Sequence, residues 1–268
     1  MGLMGILMYI LKIYAIRISF TPPFLHFYDA GKMLDYFGEI RFQSIFSHKT
    51  KYAYYCLIGI FILRINTCLS KKIRVLGILI LTINIVLTNS IMSLIATIIL
   101  LVSFINFKKI NKYFRHIIFC IAVVAIIVSG IMVYNYTSDV RDLGSWGSRK
   151  IIWESAIEFF KGHPIGVIDN WYFYRLDNHF QGAHNVFLDE LLDYGIVGGG
   201  LFLIIYFGIF YNLFKIDKRT LGLFLATTIL FMVDNLLYYD IVPVFWLSYL
   251  VIKIISQNNN RLSGIGNR

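Results

Sequence analysis

Apolar residues fall in long blocks along most of this chain, and polar residues collect between the blocks. A helix rising 1.5 Å per residue needs roughly 20 apolar residues to cross a bilayer. About eight stretches meet or approach that length: Leu3–Phe20, Tyr52–Leu69, Ile73–Leu87, Ile91–Phe107, Ile117–Tyr134, Ile196–Phe214, Leu221–Leu237 and Ile241–Ile255. The first carries Lys12 and Arg17. The third and fourth are short and are joined only by Thr88-Asn89-Ser90, which suits a tight hairpin or a re-entrant pair. The pattern predicts an all-α fold, a polytopic transmembrane helical bundle of about eight spans. The N-terminal block lacks a basic leader and a small-residue cleavage site, so it reads as a membrane segment and not as a removed signal peptide.

Two long polar regions interrupt the blocks, residues 21–51 and 135–195. The organisation expected is therefore N-terminal membrane helices over 1–134 with a loop at 21–51, a large loop over 135–195, and C-terminal membrane helices with a tail over 196–268. Charge sets the orientation. Arg64, Lys71, Lys72 and Arg74 lie between the second and third blocks, and Lys108, Lys109, Lys112 and Arg115 between the fourth and fifth. Lys215, Lys218 and Arg219 follow the sixth block, and Lys253, Arg261 and Arg268 mark the tail. These segments alternate along the chain, so all share one side, and basic loops face the cytoplasm. The acids, Asp217 excepted, lie in the opposite set or at its membrane edges. Both polar regions then face outward, with both termini inside.

Composition agrees: 58% of residues are hydrophobic and 15% charged, against roughly 25% charged in a soluble domain. The net charge of +10 does not indicate nucleic acid, because the basic clusters abut apolar blocks instead of aromatic-studded grooves. Cys56, Cys68 and Cys120 show neither metal-ligand spacing nor a disulfide framework and are expected to pack. Phosphate-loop, dinucleotide, zinc and EF-hand patterns are absent from the sequence. So is the repeated architecture of a transporter.

The chemistry concentrates in the outer regions. SRKIIWESAIEFFKGHP predicts a helix with Ser148 as N-cap, Gly162 as stop and Pro164 beyond it. Lys150, Glu154, Glu158 and Lys161 form its polar stripe; Ile152, Ala156, Phe159 and Phe160 form an apolar face suited to lying on a membrane surface. Arg149 opposes the helix dipole in the first turn. Placed beside free helix N–H groups, it would make an anion site suited to phosphate, although a surface arginine is the plain alternative. AHNVFLDELLDYG predicts a second short helix, opened by His184 and ended at Gly195. Helix N-termini favour the neutral imidazole, the form that accepts a proton, so His184 is a candidate base, with a structural histidine at a helix start as the plain alternative. Arg41 and His48 lie in EIRFQSIFSHKTKYAYY, beside a block and near the headgroups. Asn84, Asp234 and Asn235 sit near outer ends of blocks, and Asp234 is an acid able to line a cavity.

Four segments, taken in order, resemble the O-antigen ligase/polymerase family. RFQSIFSHKTKYAYY is similar to that family's external R-x-x-G-x-F-x-x-P-N segment, and LTNSIMSLIATIILLV to its L-T-x-S-R turn. SRKIIWESAIEFFKGHPIGV is similar to R-x-x-x-W-x-x-A followed by H-P-x-G. AHNVFLDELLDYGIVGGGLFL resembles H-N-x-x-L with its following G-I-x-G and span. Ser44, Lys49-Thr50 and Ile91 depart from the pattern; Arg149 and the His184-Asn185 pair are intact. The family usually has several spans before this point, so the resemblance implies a chain lacking them.

The resemblance implies a bacterial inner-membrane glycosyltransferase with its active site on the external face. It would polymerise undecaprenyl-pyrophosphate-linked oligosaccharide repeat units into capsular, exopolysaccharide or O-antigen chains, or act as a ligase that moves finished glycan to an acceptor. A lipid-linked sugar transporter is the rival from another class. The partners implied are the lipid-linked oligosaccharide, membrane lipids, a flippase and a chain-length regulator. No cofactor and no metal are expected, since the outer regions carry no Asp-x-Asp cluster. A diphosphate leaving group calls for cations: Arg149 and Arg41, with Arg141 third. His184 would be the catalytic base and Asn185 a substrate-binding residue.

Overall fold

The computed structural model of the chain describes residues 2–13, 16–21, 24–29, 42, 44, 48–105, 149–167, 173–175, 178–180, 182–234, 236 and 242–265. Helices dominate: α1 (Gly2–Ile10), α2 (Lys49–Ile65), α3 (Lys71–Leu87), α4 (Ile91–Ser103), α5 (Arg149–Gly162), α6 (Val186–Ile216), α7 (Thr220–Val233) and α8 (Val242–Ile265). Two antiparallel hairpins accompany them: β1 (Ile16–Thr21) with β2 (Phe24–Asp29), and β3 (Phe173–Arg175) with β4 (Asn178–Phe180).

Six of the eight apolar blocks coincide with helices. The first does not hold as one span: α1 stops at Ile10, Lys12 takes a left-handed backbone with φ 59°, and the chain turns into β1 at Ile16. Lys12 and Arg17 account for this, since two cations inside one apolar run work against a continuous spanning helix. The fifth block, Ile117–Tyr134, lies outside the described residues. Among the described residues one helix, α6, is long and apolar enough to cross a membrane, and α4 and α7 are apolar but shorter. The expected bundle of about eight spans is thus reduced, on length and composition, to one clear span among the described residues.

The core forms where α2, α4, α6, α7 and α8 meet. Tyr54, Phe61, Tyr206 and Phe231 are buried there, with Tyr206 ringed by Phe187, Phe210, Phe224, Phe231 and Phe245. Ring edges and faces pack at 5.2–6.4 Å between these centroids, the spacing at which aromatic quadrupoles attract. Asn84 is buried in α3 and satisfied. It accepts from Tyr52 Oη at 2.5 Å and donates to the carbonyls of Gly2 and Ile80, so an amide inside an apolar helix costs little here. The outer faces stay apolar: Val197 is 72% exposed and Ile204 70%. Exposed apolar faces of this extent suit contact with lipid.

One local arrangement positions the site. Gly195 breaks α6 with φ 66° and ψ −169°. In an unbroken helix the Ile196 N–H would donate to the Leu192 carbonyl, four residues back. At the break the two groups separate and each finds a partner in the segment after α5. Ile196 N–H donates to the Pro164 carbonyl at 3.0 Å, and Val167 N–H donates to the Leu192 carbonyl at 3.0 Å. The backbones approach so closely that a Cβ on Gly195 would collide with the carbonyl group of Ile165, and one on Gly166 (φ 92°) with the backbone of Asp193, Tyr194 and Gly195. The short helix expected to end at Gly195 is therefore present, and its end is docked onto the His163-Pro164-Ile165-Gly166 segment.

Candidate active site

Three segments distant in sequence converge on one carboxylate. Asp234 follows the last turn of α7, with its side chain 13% exposed. His48, the residue before α2, brings Nδ1 to 3.0 Å from Asp234 Oδ2. His184, just ahead of α6, brings Nδ1 to 3.8 Å from Asp234 Oδ1. Each carboxylate oxygen thus faces a different imidazole. Burial pushes the Asp234 carboxyl up, but the two imidazoles and the Thr50 hydroxyl outweigh burial and hold it well below the usual carboxylate range.

His48 Nδ1 also lies 3.3 Å from the Thr50 N–H as the side-chain cap of α2. One nitrogen serves one of these contacts at a time. The carboxylate contact is the shorter and is charge-assisted, which favours a proton on Nδ1 donating to Asp234. The His184 imidazole is 56% exposed, so its far nitrogen is open to a bound molecule while its near one faces Asp234.

The local structure around His184 is tightly determined. His184 has φ 50°, a left-handed conformation that is strained for a side chain with a Cβ. Asn185, not His184, caps α6. Its Oδ1 accepts from the Phe187 N–H at 3.0 Å and the Leu188 N–H at 3.3 Å. That capping oxygen has a structural task, and nothing further ties Asn185 to a sugar. On the other side, buried Ala183 donates its N–H to Asp189 Oδ1 at 2.7 Å, and its carbonyl accepts from Trp153 Nε1 at 2.9 Å.

Trp153 belongs to α5, which is seated against α6. Ile152 and Ala156 are buried in a cluster with Ala183 and Leu192, and Leu188 packs against it. The apolar face expected to lie on a membrane surface is thus turned, in large part, against protein. Ala156 is small enough to let the helices close, and Leu188 and Leu192 provide a facing stripe one turn apart. Glu154, Glu158 and Lys161 stay exposed, as the polar stripe predicts.

Arg149 is the first residue of α5, about one helical turn before Trp153. Arg41, Arg141 and the cap Ser148 lie outside the described residues. Sequence reasoning did not join Asp234 to His184, nor assign a part to His48, Trp153 or Asp189. The one available signal was an acid at the edge of an apolar block.

Fold and site define a class first: a helical protein with a membrane-length apolar helix and a histidine–carboxylate pair at the ends of its helices. A family model described as O-antigen ligase matches residues 76–203, a stretch holding most of α3, all of α4 and α5, and the His184 segment. That match supports membership of the O-antigen ligase/polymerase family, whose members are bacterial inner-membrane proteins of polysaccharide biosynthesis. No curated protein matches the sequence.

Proposed function

We propose that this protein transfers a glycan from a polyprenyl-diphosphate carrier to a sugar hydroxyl, with His184 as the base. The observation that carries the reading is the His184–Asp234 pair, set beside the family match over residues 76–203. With its Nδ1–H toward Asp234, His184 has Nε2 free to take the proton of the acceptor hydroxyl. The hydroxyl oxygen forms the new bond to the anomeric carbon. The old bond from that carbon to the diphosphate oxygen breaks, and its electron pair leaves with the diphosphate. Asp234 stabilises the imidazolium that forms, as a buried carboxylate does for a catalytic histidine. The 3.8 Å separation is looser than a hydrogen bond, and catalytic contacts often tighten only when substrate is present.

Charge develops on the leaving diphosphate. We assign its stabilisation to arginines, whose forked donors match phosphate oxygens: Arg149 at the start of α5, with Arg41 and Arg141 from the outer regions. A single displacement of this kind inverts the anomeric centre. Asn185 serves first as the cap that holds the site's helix.

The experiment is His184→Ala in cells that depend on this gene for glycan assembly. The expected result is loss of chain elongation with the protein still present in the membrane. A normal ladder of chain lengths from that variant removes His184 from the mechanism. The same strain separates the two family activities. Single repeat units without polymer indicate a polymerase, which is the reading we favour; long polymer stranded on the lipid carrier indicates a ligase.

A further inference from the structure

We infer that Trp153 and Asp189 are positioning residues: they clamp Ala183 from opposite sides and thereby hold His184 in the left-handed turn that directs its imidazole to Asp234. The inference rests on the reading of His184 as the base.

The contacts form a chain from α5 to the reacting group. Ala183 is fully buried and both of its backbone polar groups are taken by side chains, N–H by Asp189 Oδ1 at 2.7 Å and carbonyl by Trp153 Nε1 at 2.9 Å. Hydrogen bonds at both peptide groups restrain this residue's rotation. The next residue, His184, carries the strained φ of 50°, and such a conformation persists only where its surroundings over-determine it. Asn185 supplies the far constraint by capping α6. His184 is thus the strained link between two fixed neighbours, and of these three residues it is the one whose side chain faces Asp234.

As an acid in the first turn of α6, Asp189 interacts favourably with the helix dipole, but its burial works against folding. It is 5% exposed, and its second oxygen, Oδ2, is buried with no hydrogen-bond partner. Burying a carboxylate with one oxygen unmet is unfavourable. What the residue does provide is the acceptor that fixes position 183. Trp153 acts from the other helix: with Ile152 and Ala156 it seats α5 against Leu188 and Leu192, and its N–H reaches across to the carbonyl. Docking of α5 on α6 and the aim of His184 are then one event. Because a misplacement of about 1 Å can cost on the order of 100-fold in rate, a clamp two residues wide is enough to matter for turnover.

The test uses the full chain in proteoliposomes, with Trp153→Phe, Asp189→Leu and Asp189→Asn. Phenylalanine keeps an aromatic ring but lacks the N–H; asparagine keeps an acceptor oxygen; leucine removes it. Trp153→Phe and Asp189→Leu should lower kcat about tenfold or more with KM for the lipid-linked donor unchanged. Asp189→Asn should restore kcat to within a few-fold of the parent. A second readout is independent of activity. In a chain whose native cysteines are replaced, His184→Cys with Asp234→Cys should be joined efficiently by a short bis-methanethiosulfonate reagent. Adding Trp153→Phe or Asp189→Leu should cut that yield several-fold, and Asp189→Asn should recover it. Unchanged cross-linking in both variants overturns the clamp, as does a raised KM at constant kcat. Full activity in His184→Ala would instead overturn the base assignment, while the cross-linking still decides the clamp.

Discussion

Asp234 shows how much one residue's neighbours matter. Alone it is an acid at the end of an apolar helix; between His48 and His184 it becomes the group that orients one imidazole and shares its charge with another. Asp234→Asn keeps the shape and removes the charge. We expect turnover to fall by about 100-fold, in line with what a general base and its orienting group contribute, with donor KM little changed; single-turnover kinetics on lipid-linked oligosaccharide would check this. Asn185 allows a sharper division of roles. Asn185→Ala should lower stability by about 1 kcal/mol through loss of the cap, seen as a reduced Tm in detergent, and Asn185→Ser should restore it. If the serine variant is stable yet inactive, the amide contacts substrate as well. The helix starting near position 184 was legible in the sequence as a short amphipathic run ended by a glycine, whereas its cap is Asn185 and not the expected His184. The Asp234 partner was not: fifty residues separate the two, and no local rule names the acid that faces a given histidine.

At the scale of elements, the break at Gly195 and the segment after α5 explain each other. The two hydrogen bonds that repair the break come from Pro164 and Val167, and the two glycines meet where no Cβ fits. Gly195→Ala combines an unfavourable φ, worth roughly 1–2 kcal/mol, with a collision against the carbonyl of Ile165. It should markedly reduce the fraction of folded protein. Gly200 and Gly208 lie in the same helix with open space around them, so alanine there should be neutral or stabilising by up to about 1 kcal/mol. Equal thermal stability of the Gly195 and Gly200 variants would count against the docked break. The glycine at 195 was readable as a helix end from its place after the short amphipathic pattern. That α5 turns much of its apolar face to α6, and not to lipid, was not readable, because an amphipathic stripe looks the same whether protein or membrane covers it.

For the whole molecule, the basic segments set the disposition expected across the bilayer. Charge alternation argues that the His184 segment is external and the Lys215-to-Arg219 turn cytoplasmic. In a chain freed of its native cysteines, a cysteine at position 184 should react with an impermeant maleimide in intact cells, whereas one at Lys218 should react only after permeabilisation. Labelling in the opposite order would place the site on the inner side and exclude a periplasmic glycan transfer. By itself the sequence determined the apolar blocks that become helices, the helix opening near position 184 and its end at Gly195, and the three motif segments that fall inside the family match over residues 76–203. These are properties of contiguous residues, where propensity, period and capping act over one or two turns. The tertiary structure alone decided that α5 seats on α6, and that His48, His184 and Asp234 share one point. Such meetings depend on how helices cross and pack, and that geometry is set by the summed fit of many side chains far apart in the chain.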